Sequence, residues 1–121
     1  MQTLSQQRAK QALELILEIG KNTTNKENEI EDFEQLSKSI PTMILQNGLG
    51  QAIAFLKAKK KPKHNMIYDV LNKWIVHMGM VEEDLLIELN KMDSYQYIAV
   101  QTESLRFLEW VKRYANAKIT G

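Results

Sequence analysis

Two histidines, a set of carboxylates and a dense run of lysines are the residues here that could do chemistry. His64 and His77 lie at opposite ends of one predicted helix, about 20 Å apart by its rise per residue, so they cannot share a metal ion. His77 near a helix C-terminus suits the macrodipole without further purpose. Glu82, Glu83 and Asp84 occupy a predicted helix start, and the acidic residues from Glu27 to Glu34 read as a solvated face. General acid–base work needs a buried carboxyl with a raised pKa, which neither position suggests. The chain has no cysteine, which excludes disulfides, thiolate metal sites and a cysteine nucleophile. Asn47-Gly48-Leu49-Gly50 follows no predicted strand and precedes no Gly-Lys-Ser/Thr, so it is not a phosphate loop. The expectation is a non-enzyme with no catalytic residue, metal, cofactor or small-molecule substrate.

The lysines carry more. Lys57, Lys59, Lys60, Lys61 and Lys63 fall within seven residues. Divided after Leu56, the chain carries 5 basic and 7 acidic residues before the cut, and 11 and 8 after it. The charge of +1 is therefore unevenly spread, chiefly because of this run. Such a cluster can neutralise several phosphates, giving salt-sensitive affinity for nucleic acid without base reading. Lys112, Arg113 and Lys118 extend the patch if the last helix ends nearby. The plainer reading is a solvated loop, since lysines after a helix C-terminus also complement its dipole. Phe55, Trp74, Phe107 and Trp110 sit in apolar rows and read as core anchors, not as base-stacking platforms.

The elements that must position these residues are helical throughout. Ala9, Ala12, Leu13, Ile16, Leu17 and Gly20 form a stripe at the 3.6 period, ended by the polar run 21–25. Ile30, Phe33 and Leu36 mark a short acidic helix over 28–39. Pro41 is expected to open the next helix, which runs to about residue 60 with a kink at Asn47-Gly48. The apolar phase continues across that dipeptide, placing Leu45, Leu49, Ile53 and Leu56 on one face. Pro62 ends the lysine run, and further helices follow at about 64–78 and 82–91. Asp93 and Gln96 form a capping-box pair before a last helix that reaches about Ala117. In that helix Ile98, Gln101, Leu105, Leu108 and Lys112 mark one row, and Tyr97, Ser104, Leu108, Val111 and Ala115 another. The fold expected is an all-α, single-domain bundle of five to six helices over residues 1–121. Apolar runs are far shorter than the ~20 residues of a membrane span, and MQTLSQQRAK lacks a signal peptide's apolar region. A soluble, cytoplasmic protein is expected, with no membrane partner.

The segment Ile40-Pro41-Thr42-Met43-Ile44-Leu45-Gln46-Asn47-Gly48-Leu49-Gly50-Gln51-Ala52-Ile53-Ala54-Phe55-Leu56 closely resembles the hallmark of the Cmr small subunits of type III-B CRISPR effector complexes. That hallmark reads roughly Leu-Pro-Ala-Leu-Ile, a polar pair, Asn-Gly-Leu-Gly-Gln, then Ala-Phe-Leu. Arg8-Ala9 with Ala12, Tyr68 with Leu71 and Trp74, and the stretch from Tyr97 through Trp110-Val111-Lys112-Arg113-Tyr114-Ala115 match the family in order and spacing. The chain departs from it at Ile98, where the family often has arginine, and at Ser104, where a small apolar residue is usual. The resemblance implies a non-catalytic subunit of an RNA-guided, RNA-targeting complex. Such subunits stack as a short filament beside the backbone subunits that hold the CRISPR RNA. Its implied partners are other Cmr subunits, further copies of itself, and CRISPR RNA with target RNA. By resemblance, Lys57, Lys112, Arg113 and Arg8 are the first candidates for RNA contact, while Lys59, Lys60, Lys61 and Lys63 rest on composition. The alternative is a generic helical adaptor whose lysine loop is merely exposed.

Overall fold

The computed structural model describes residues 1–22 and 26–117. Of the loop expected at 21–25, residues 21 and 22 belong instead to the last turn of the first helix, and residues 23–25, the side chains of Asn22 and of residues 26–30, and Lys118 lie outside what is described. Among the described residues the architecture is all-α, with six helices and no strand. They are α1 (Leu4–Asn22), α2 (Lys26–Asn47), α3 (Leu49–Lys59), α4 (Pro62–His77), α5 (Leu85–Leu89) and α6 (Ser94–Asn116). No helix among them is long and apolar enough to cross a membrane.

Backbone contacts gather the chain into two compact units. The first holds residues 1–41 and the chain from Arg106 onward. Its buried side chains include Ala12, Leu15, Ile16 and Ile19 of α1, Phe33 and Ile40 of α2, and Phe107, Leu108, Val111 and Ala115 of α6. α1 begins five residues before the apolar stripe does. Thr3 Oγ1 accepts from Gln6 N–H at 3.1 Å while Gln6 Oε1 accepts from Thr3 N–H at 2.7 Å, a reciprocal cap.

Pro41 does not open a helix; it sits inside α2. It has no N–H to give the Ser37 carbonyl, yet its ring is buried and the helix continues through it. Burial of Ile40 and Ile44 on either side holds the helix together there. The real break comes at Gly48, whose φ of 88° and ψ of 161° no helix accommodates. This break also resets the apolar phase. Ile44 is buried and Leu45 is 73% exposed, so Leu45 does not share a buried face with Leu49.

The second unit, residues 42–105, holds the lysine run. α3 packs against α4 and α5, and α4 against α5. Leu49, Ile53 and Leu56 of α3, Ile67, Leu71 and Ile75 of α4, and Leu85 of α5 are all within 1% of full burial. Trp74 Nε1 donates to Glu103 Oε2 at 2.9 Å in the buried interior. This bond gives the buried Glu103 carboxyl a partner, without which its burial would be costly. On α6 the buried residues include Val100, Glu103 and Ser104, while Ile98 is 59% exposed; the expected row through Ile98 is not buried there. The Asp93–Gln96 box forms as expected, at 3.2 and 2.8 Å.

Candidate nucleic-acid interface

The lysine run forms the corner between α3 and α4, where two helix ends meet. Lys57 and Lys59 lie in the last turn of α3, whose carbonyls carry partial negative charge that cations complement. Lys60 caps α3 in the left-handed region, at φ 53° and ψ 31°. Lys61 is extended, as the residue before a proline must be, and Pro62 is the first residue of α4. Pro62 thus ends one helix and starts the next, and the left-handed turn at Lys60 makes the corner sharp. That conformation costs a residue with a β-carbon about 1 kcal/mol.

No side chain caps α4 at Lys61. The N-terminus of a 16-residue helix therefore presents its backbone N–H groups and positive dipole end amid the lysines. Lys57, Lys59, Lys60 and Lys61 are exposed and Lys63 is half-buried. None of the four exposed lysines pairs with a carboxylate among the described residues. Like charges this close repel one another, and an anion at the corner relieves that repulsion.

Two of these ammonium groups are steadied by aromatic rings. Lys57 Nζ lies 4.7 Å from the centroid of Tyr68, and Lys59 Nζ lies 5.3 Å from that of Phe55. Such contacts restrict the long side chains while leaving N–H groups for a phosphate. Phe55 and Lys59 stand four apart on one helix, a spacing readable from sequence. Tyr68 on α4 faces Lys57 only through tertiary packing, and no local sequence signal gives it that role.

Tyr68 is itself fixed from behind. Its hydroxyl donates to Asp84 Oδ1 and accepts from Leu86 N–H at 3.0 Å. Burial first, and the bond to Asp84 second, push the phenol pKa well above its ordinary value. His64 packs on Phe55, ring centroids 5.6 Å apart. Desolvation first, then Lys61 and Lys59, hold its pKa below the ordinary imidazole value of 6.5. Histidine at this corner therefore favours its neutral form.

Behind the tyrosine, the loop 82–84 is built around Glu88. Its carboxylate accepts from the backbone N–H groups of Glu82, Glu83 and Asp84 at 2.7 to 2.9 Å. These bonds to the charged form hold the Glu88 pKa below 4.5. Stability from them is fully present above about 4.5 and falls away as pH drops through the lowered value. Glu88→Gln is therefore expected to unfold more readily than the parent at pH 7, with the gap closing in acid. Urea midpoints measured from pH 7 down to pH 3 check this. A gap that stays constant over that range overturns it.

The other candidates lie in the first unit. Arg8 on α1 is only 8% exposed and is engaged by a partner within the protein. On α6, Lys112 is half-buried and Arg113 exposed, near the tilted ring pair of Trp110 and Tyr114. The corner thus gathers Lys57, Lys59, Lys60, Lys61 and Lys63, while Arg8 and the Lys112–Arg113 pair are carried by the first unit. The carboxylates at 82–84 and 88 form no metal-binding group, nor does any other set of described residues.

A family model described as CRISPR-associated protein (Cas_Cmr5) matches residues 4–118. The chain belongs to the Cas_Cmr5 family. The CRISPR system Cmr subunit Cmr5 of Thermotoga maritima is 34% identical across all of this chain and 88% of its own length. That of Thermus thermophilus is 29% identical over 98% of each chain. A crystal structure of a CRISPR-associated Cmr5 family protein from Thermus thermophilus superposes with a TM-score of 0.80, at 26% identity, covering 98% of this chain and 99% of that one. The Cas_Cmr5 match spans all six helices, the lysine corner included. By family, this chain is a small subunit of the type III-B Cmr kind.

Proposed function

We propose that this chain serves as a non-catalytic structural subunit of the Cmr RNA-guided effector, one helical domain over residues 1–121. Copies of it stack as a short filament along guide and target RNA in the cytoplasm, in antiviral defence. The carrying observation is the α3–α4 corner, where four exposed lysines fall in the last turn of α3 and at the uncapped start of α4. This arrangement suits phosphate oxygens and offers nothing that reads a base. Sequence is left to guide–target pairing, as expected of a subunit that follows backbone geometry. Lys57, Lys59, Lys60, Lys61 and Lys63 make these contacts at the corner, with Arg8, Lys112 and Arg113 contributing from the first unit.

The reading is tested by recovering the tagged chain from its host, then sequencing the RNA and identifying the proteins that come with it. Repeat-derived guide RNAs together with Cas subunits, and more than one copy of this chain per complex, are the expected result. Recovery of the chain with partners but no RNA favours a helical adaptor whose lysine loop is merely exposed. Recovery of the chain alone overturns the proposal.

A further inference from the structure

Asn47 and Gly48 meet at the break between α2 and α3. Of the eight asparagines in the chain, only Asn47 is followed by glycine. An asparagine–glycine pair is the dipeptide most prone to deamidate, because no side chain on the glycine hinders its backbone nitrogen. Here glycine is required, since φ 88° and ψ 161° form a region essentially restricted to it. The residue that turns the chain out of α2 is therefore the one that leaves the preceding amide open to attack. Asn47 itself is exposed to water.

The fold opposes the reaction in two ways. Asn47 is the last residue of α2, and helical backbone angles hold its side-chain carbonyl carbon away from the nitrogen of Gly48. That nitrogen is also engaged, its N–H donating to the Ile44 carbonyl at 2.8 Å. Immediately beyond, Leu49 N–H donates to Gln101 Oε1 and Gly50 N–H to Tyr97 Oη, each at 2.9 Å, so the far side of the break is held too. Ring closure requires Asn47 to leave the helical region and the bond to Ile44 to break. Together these changes open the last turn of α2.

We infer that Asn47 is a site of spontaneous deamidation, kept locked by the closed last turn of α2. In the opened chain the Gly48 nitrogen attacks Asn47 Cγ. That nitrogen gives up its proton, the new N–C bond closes a five-membered succinimide, and the side-chain nitrogen leaves as ammonia. Water then opens the ring. Addition at Cγ gives aspartate, and addition at the former backbone carbonyl gives isoaspartate, with the side chain now part of the main chain. Both products fit the site poorly. A carboxylate at residue 47 lies at the C-terminal end of α2, where the dipole disfavours negative charge and the last turn holds no basic residue. Isoaspartate also lengthens the main chain by one carbon just before the Leu49 and Gly50 bonds, and so shifts both donors from their acceptors. The modified chain is thus expected to open more easily than the parent.

The test follows the purified chain at pH 8 and 37 °C, folded and in guanidinium chloride. Trypsin releases residues 39–57, where Asn47 is the only asparagine, so conversion reads out as a one-unit mass gain at that position. Steady conversion is expected in denaturant, with a rate at least tenfold lower in the folded protein. Asn47→Gln, which would have to close a six-membered ring, is expected to show no gain in either state. Converted protein, separated by its added charge, is expected to unfold at a lower urea midpoint than the parent. Equal rates in the folded and denatured states overturn the inference. So does a denatured chain that leaves Asn47 unchanged, or the same mass gain in Asn47→Gln.

Discussion

Replacing Lys57, Lys59, Lys60 and Lys61 together with alanine is expected to flatten the salt dependence of RNA binding. Each phosphate contact contributes about 0.7 to the slope of log K against log salt on a single strand, so losing four removes about 3 units. At 0.1 M salt that corresponds to roughly 10²- to 10³-fold weaker binding, with little difference left near 1 M. The four side chains are exposed, and relief of their mutual repulsion opposes the loss of the dipole and ring contacts of Lys57 and Lys59, so stability is expected to change little. Lys73→Ala, an exposed lysine farther along α4, is the control and is expected to change the slope by no more than one contact's worth. Titration of fluorescent single-stranded RNA at several salt concentrations reads the outcome. Equal slopes for parent and variant mean that the corner touches no phosphate.

His64 gives the same measurement a pH signature. In the free protein its pKa lies below 6.5, first through burial and then through Lys61 and Lys59. A phosphate beside those lysines offsets their repulsion and raises the imidazole's pKa. The bound state then holds more protons, so affinity strengthens as pH falls below about 6.5 towards the depressed value of the free protein. His64→Gln is expected to remove this dependence and to leave the salt slope intact.

How legible these features are in the sequence depends on whether their cause is local. The Asp93–Gln96 cap, the stop at Pro62 and the stripe of α1 are written in residues three or four apart, and each is readable. The same signature at Thr3–Gln6 starts α1 earlier than the apolar stripe alone suggests. Pro41 reads as a beginning because its cost within a helix is local, whereas the burial of Ile40 and Ile44 that sustains α2 is tertiary. Periodicity across Asn47-Gly48 misleads for a related reason. Apolar spacing can survive a backbone break by coincidence, and only the positive φ at Gly48 shows that the phase has been reset. At the corner the lysines are plain, but the ring of Tyr68 beneath Lys57 and its bond to Asp84 depend on how α4 and α5 pack.

That break at Gly48 is also where a single methyl group is expected to do most harm. At φ 88° and ψ 161° the backbone occupies a region essentially restricted to glycine, costing other residues about 1–3 kcal/mol. A β-carbon there would stand 3.2 Å from the Tyr97 hydroxyl and 3.9 Å from Gln101 Oε1. These two atoms matter because Gly48 offers no side-chain cap, and they accept from the first N–H groups of α3 in its place. Gly48→Ala is therefore expected to destabilise the protein by about 2–3 kcal/mol, adding crowding of this clasp to the backbone strain. Tyr97→Phe alone removes one part-buried hydrogen bond and is expected to cost about 1 kcal/mol. In the double variant the crowding disappears with the hydroxyl while the strain persists. Urea unfolding of all four proteins is thus expected to show a combined loss smaller than the sum of the single losses, yet larger than that of Tyr97→Phe. A Gly48→Ala protein within about 0.5 kcal/mol of the parent would mean that α3 can leave α2 without this conformation. The direction of α3 carries Lys57 and Lys59, so the folded fraction of Gly48→Ala is also expected to bind RNA with a shallower salt slope than the parent.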